Sequence, residues 1–125
     1  MKSLHEEWVL KALKDFDTAK LILDSGKDYY DQICFLCQQS IEKLLKAYLI
    51  KNNKEISKTH DLMKLTVDCK NINSGFSEWE KVAISLTTYA VDFRYPGESA
   101  TKEEAHDSFM LAEKYLNFIL LEIKK

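Results

Sequence analysis

A chain of 125 residues is one domain's worth, and a compact fold of this size buries roughly two thirds of the surface its unfolded chain exposes. Three glycines and one proline, Pro96, in a sequence that is 46% hydrophobic and 30% charged supply too little turn chemistry for a sandwich, a barrel or a Rossmann-like unit. The net charge of −2 gives nucleic acid no global attraction, so any contact with phosphates has to come from a local patch.

Apolar residues recur at steps of three and four over residues 3–25, where Leu4, Trp8, Ala12, Ala19, Ile22 and Leu23 predict one helix that Gly26 stops. A second helix is predicted over 28–51. It is apolar over most of its circumference, and Gln39, Glu42, Lys43 and Lys46 form its only polar stripe, which makes it central or shared with a partner subunit. After a polar break at 52–55, Thr59 is the predicted N-cap of a short third helix ending near Cys69, and Asp61 suits its positive end. A fourth helix is predicted over 77–93, with Ser77 and Glu80 at capping-box spacing, and it must end near Arg94 and Tyr95 because the residue before a proline is pushed out of helical conformation. Thr101 and Glu104 have the same spacing at the start of the last helix, which buries Ala105, Phe109, Ala112, Leu116, Ile119 and Ile123. A second stripe on that helix, Leu111, Tyr115 and Phe118, calls for a neighbouring helix or a subunit contact and is the candidate dimer interface. The whole chain, 1–125, reads as a single all-α domain, an up-and-down four-helix bundle with one additional short helix.

No apolar run approaches the roughly 18 residues of a membrane-spanning helix, and residues 1–7 lack the apolar stretch of a signal peptide. The expected setting is cytoplasmic, where three cysteines are reduced thiols. Cys34 and Cys37 have the spacing of a redox or zinc pair but lie inside an apolar helix, which favours core thiols. Glu103 and His106 make one half of a di-iron pattern whose second half is missing, because the residues three before His5 and His60 are Lys2 and Ser57. Neither a metal nor another cofactor is expected.

Asp15 falls on the apolar side of the first helix, where it either pairs in a polar pocket or lies at the rim, and Glu42 poses the same question. Of 18 basic residues only Arg94 is an arginine. A guanidinium is preferred where planar, two-pronged contact with carboxylate or phosphate is needed; its alternatives are to cap the fourth helix or to pack on Phe93 or Tyr95.

Three blocks carry a resemblance: Gln38-Gln39-Ser40-Ile41-Glu42-Lys43-Leu44-Leu45-Lys46-Ala47-Tyr48-Leu49, then Lys58-Thr59-His60-Asp61-Leu62, then Arg94-Tyr95-Pro96-Gly97. In order and spacing they resemble the HEPN domain (higher eukaryotes and prokaryotes nucleotide-binding), over nearly the whole chain. The resemblance implies a helical homodimer, often encoded beside a minimal nucleotidyltransferase as a two-component or toxin–antitoxin pair. Many members are metal-independent ribonucleases in which four to six residues separate an arginine from a following histidine. Here Ser99, Ala100 and Thr101 occupy those positions, so the chain is more like the branch that binds a nucleotide or RNA, and enzyme activity is not expected from this motif. Metal-free RNA cleavage needs a base for the 2′-hydroxyl, and imidazole is the usual group; His60 is the histidine that the fold can bring to Arg94. The candidate cleft residues are Arg94 and Tyr95 with Lys43, Lys46, Glu42, His60 and Asp15; a purely structural interaction dimer is the remaining alternative.

Overall fold

The computed structural model describes residues 1–91 and 96–125, and every regular element among them is helical. In chain order these are α1 (Leu4–Ser25), α2 (Tyr30–Lys51), α3 (Leu62–Lys70), a 3₁₀ helix (Ser74–Trp79), α4 (Glu80–Val91) and α5 (Lys102–Lys124). The four long helices and the short α3 make the all-α bundle that composition implied. No helix among the described residues is long and apolar enough to cross a membrane.

Local chemistry sets the ends. Ser3 caps α1 by accepting from the Glu6 amide, and Gly26 closes it with φ of 73°, in the left-handed region where a Cβ is strained. Asn53 does the same after α2 with φ of 60°, while the Lys54 amide reaches back 2.9 Å to the Leu49 carbonyl. The Thr101–Glu104 capping box forms as its spacing predicts. Two expected caps do not. Asp61, rather than Thr59, caps α3 by accepting from the Met63 amide, and Asn73 caps the 3₁₀ helix that replaces the first turn expected of the fourth helix.

α2 is the axis of the bundle. α1 and α5 pack most extensively against it, and α3 and α4 close the remaining side. Ile33, Cys37, Ile41, Leu44, Leu45 and Leu49 are buried along it, which accounts for its nearly continuous apolar circumference. The six inward positions expected of α5 are all buried. On α1 the fit is looser: Leu4 is exposed, and Phe16, which the periodicity did not select, is buried in a stack 4.8 Å from Phe109.

The Leu111, Tyr115 and Phe118 stripe is not a free surface. Tyr115 is fully buried, its ring lies parallel to Trp79 at 4.8 Å, and its hydroxyl is 2.7 Å from that of Thr66. Phe118 packs edge-on to Phe76 at 5.0 Å, and Leu111 packs partly buried against the core. The neighbour that covers the stripe is therefore the chain's own 3₁₀ helix, which presents Phe76 and Trp79, and the candidate dimer interface is corrected to an internal aromatic cluster. Tyr115→Phe, which leaves the Thr66 hydroxyl buried without its partner, is expected to lower the unfolding free energy by about 1–3 kcal/mol. Tyr115→Glu, which places a carboxylate inside the cluster, is expected to prevent folding rather than change the oligomeric mass. Urea denaturation followed by circular dichroism checks both.

All three cysteines are free and buried. Burial pushes the Cys34 thiol up to about 11 and the Cys37 thiol up to about 12, and raises Cys69 as well. A raised thiol pKa leaves the unreactive neutral form at neutral pH. An aromatic disulfide reagent near pH 8 is expected to label none of them in the native protein and all of them in urea, read by the absorbance of the released thiolate.

Candidate functional site

Gln38, Glu42 and Lys46 stand one turn apart on α2 and so share a face. Glu42 and Lys46 belong to the polar stripe expected of α2, with a paired pocket left open for Glu42; Glu42 is 7% exposed and Lys46 6%, because the indole of Trp8 on α1 and the chain just before α3 cover them. A carboxylate and an ammonium can be buried in this way only if each finds partners. The Lys46 ammonium donates to Glu42 Oε2 at 2.9 Å and lies 5.8 Å from the centre of the Trp8 ring. Gln38 Nε2 approaches Glu42 Oε1 at 3.4 Å and donates to the His60 backbone carbonyl at 2.9 Å.

His60 completes this cluster from the other side. Its Nδ1 is 3.1 Å from Glu42 Oε1 and 3.0 Å from Oε2, while the imidazole as a whole is exposed, at 84% for the side chain. The corner that delivers it is built from local bonds: the Asp61 amide donates to Thr59 Oγ1 at 3.1 Å, and the Met63 amide to Asp61 Oδ1 at 3.0 Å. Thr59 therefore shapes the turn before the helix instead of capping it.

Asp15 and Lys43 form a separate pair at 2.6 Å between α1 and α2, each about a fifth to a quarter exposed. The alternatives left open for Asp15 both hold in part, since it has a cation and sits near the rim. Of the expected cleft residues the structure thus joins Glu42, Lys46 and His60 in one cluster, and Asp15 with Lys43 in another. Arg94 and Tyr95 lie outside the described residues. The two lysines expected near a phosphate, Lys43 and Lys46, are each paired with a carboxylate of the same chain. Gln38 and Trp8 were not singled out from the sequence; the signal for Gln38 was its place one turn before Glu42 in the first family-like block.

Beside the corner lies a cleft of about 460 Å³ between the end of α2, residues 54–57 and α3. Leu49, Ile56 and Ile72 supply its apolar part, and its polar edge carries both signs of charge, Lys54 and Lys64 with Glu55 and Asp68. Its lining residues Ser57 and Lys64 bracket His60 in the sequence. Among the described residues no group of three or more His, Cys, Asp or Glu comes together as a metal would need.

With this geometry in place, comparison with known proteins is informative. The HEPN domain model matches residues 5–123. The chain belongs to the HEPN domain family. Two solved structures share the HEPN fold of this chain. The crystal structure of TT1696 from Thermus thermophilus superposes with a TM-score of 0.80 at 23% identity, covering 94% of this chain and 97% of that one. ST0689, described as an archaeal HEPN homologue, superposes with a TM-score of 0.75 at 24% identity, covering 98% and 99%. Among curated proteins nothing matches. Membership in HEPN gives a nucleotide-related function at the level of the family, and the likeness to the two structures extends to the fold.

Removing one member of a buried ion pair strands the other. Glu42→Ala is therefore expected to cost about 3–5 kcal/mol of unfolding free energy, because Lys46 stays under Trp8 without its carboxylate. Asp15→Ala breaks a pair that is partly solvated and is expected to cost about 1 kcal/mol or less. Parallel urea titrations of the two variants check the order.

Proposed function

We propose that this HEPN chain is a nucleotide- or RNA-binding module, acting as a homodimer with a separately encoded minimal nucleotidyltransferase in a toxin–antitoxin-like system. The observation that supports the binding reading is an outward-facing imidazole, His60, held on a buried polar anchor; it does not itself line the cleft of about 460 Å³, whose residues Ser57 and Lys64 stand three and four positions from it in the sequence. A ligand contact has to be rigid to be selective, and His60 is fixed both through its ring by Glu42 and through its carbonyl by Gln38. Arg94 is the phosphate contact in this reading, since its guanidinium is the one such group in the sequence and Lys43 and Lys46 are occupied internally. The homodimer and the transferase partner rest on the family resemblance of the three sequence blocks.

A second reading, metal-independent RNA cleavage by Arg94 and His60, is favoured by one observation: with Nδ1 on Glu42, the opposite ring nitrogen is the one left to take a proton from a 2′-hydroxyl. Calorimetric titration of the purified protein with ATP, AMP and short RNA separates the readings. Binding is expected with at least one ligand and is expected to weaken by about tenfold or more in both Arg94→Ala and Arg94→Lys, because an ammonium does not replace a two-pronged contact. The RNA is expected to be recovered intact. Shortened RNA with wild-type protein and intact RNA with His60→Ala would establish the second reading, and no heat with any ligand would remove the first.

A further inference from the structure

The Glu42 carboxylate only accepts hydrogen bonds, so the His60 nitrogen 3.0–3.1 Å from its two oxygens must be the one that donates. In the neutral ring this places the proton on Nδ1 and leaves Nε2 with a lone pair. Lys46 donates to Glu42 Oε2 at 2.9 Å from the other side of the carboxylate. The remainder of the ring is in solvent. What the corner before α3 offers a ligand is thus a fixed hydrogen-bond acceptor. A phosphate oxygen is also an acceptor and has nothing to give this nitrogen.

We propose that His60, through the Nε2 that carries no proton in the neutral ring when Nδ1 donates to Glu42, is a specificity-determining residue that accepts a hydrogen bond from an uncharged donor of a bound ribonucleotide. The donor is a sugar hydroxyl or a base amino group, and the ligand's phosphate is bound elsewhere. Glu42 acts here as a positioning residue, touching no ligand and fixing which ring nitrogen carries the proton. This inference rests on the nucleotide-binding reading and names the part of the nucleotide that is recognised. A site that is built to receive a donor discriminates against the analogue that lacks it, because its own acceptor is then left unpaired.

The test is fluorescence anisotropy near pH 8, above the ordinary range of imidazole protonation. It uses end-labelled penta-adenylate as RNA, as DNA and as 2′-O-methyl RNA, together with penta-inosinate RNA, which lacks the amino group. Wild-type protein is expected to bind adenylate RNA about tenfold more tightly than the analogue missing the donor. Weakening shared by the DNA and 2′-O-methyl arms assigns the sugar hydroxyl, and weakening confined to inosinate assigns the base amino group. His60→Asn keeps an amide donor for Glu42 but has no counterpart of Nε2, and is expected to lower adenylate RNA affinity until it equals that of the disfavoured analogue. Glu42→Gln, whose amide pairs with either ring tautomer, is expected to reduce the preference, with circular dichroism confirming the fold. Equal wild-type affinity for all four oligomers, or a preference that persists in His60→Asn, overturns the inference while nucleotide binding stands. Failure of every oligomer to bind overturns the inference, and the nucleotide-binding reading falls with it only if ATP and AMP also give no heat in the calorimetric titration.

Discussion

A carboxylate and an ammonium group share the inside of the central helix, and the surrounding elements are arranged so that neither is stranded there. Glu42 and Lys46 could not leave water unless α1 brought the Trp8 ring over the ammonium and the chain before α3 brought His60 to the carboxylate. Each of those contacts exists at one rotation of α2 about its axis. A helix apolar all round would pack against its neighbours in several registers with similar energy, whereas one that carries a buried pair on a single face is satisfied in one. Gln38, a turn earlier, adds a bond to the His60 carbonyl and so ties the backbone of the corner to the same face.

The opposite side of α2 is closed by a different kind of interaction. Tyr48 on α2 packs 4.9 Å from Phe76 on the 3₁₀ helix, and Trp79 lies flat on Tyr115 of α5. The Tyr115 hydroxyl inside this cluster is matched by Thr66 of α3, while the Trp79 indole N–H is buried there without a hydrogen-bond partner among the described residues. At the end of α2 the Lys51 ammonium donates to the Ile123 carbonyl near the last turn of α5, and at its start the Asp31 carboxylate accepts from the Ala100 amide at 2.7 Å. α2 is therefore fixed at both ends and on both sides, and His60 inherits that rigidity through Glu42.

What could be read from the sequence was local. The Thr101–Glu104 box, the stop at Gly26 and the six inward positions of α5 each follow from spacings of a few residues and were legible. Periodicity put Lys46 in a polar stripe and left Glu42 undecided between a pocket and the rim, because a buried polar pair is visible only when both covering elements are in place. Those covers, Trp8 and His60, lie 34 and 18 residues from Glu42 along the chain. The same limit explains Tyr115: a second apolar stripe is equally consistent with a partner subunit and with the chain's own 3₁₀ helix, and the irregular turn at Ser74–Trp79 gave no periodic signal of its own. The family-like blocks were more informative than any single residue, since they placed Gln38, Glu42 and His60 in one pattern before their contact was known.

Internal pairing changes what the lysine count means. Seventeen lysines set beside one arginine suggest a surplus of cations for phosphate, yet two of the three charged side chains in the first family-like block are lysines spent on carboxylates of the same chain. Lys46 offers a ligand little, because to reach a phosphate it would have to abandon Glu42 and leave that carboxylate buried, whereas the Lys43 pair with Asp15 is partly solvated. The recognition chemistry of the proposed reading is then of two kinds: an acceptor at His60 that suits neutral donors, and a guanidinium, known from the sequence alone, at Arg94 that suits anions. A mononucleotide carries both kinds of group, a phosphate at one end and hydroxyl or amino donors at the other. That complementarity, rather than the net charge of the chain, is the physical ground for reading this HEPN domain as a nucleotide-binding one.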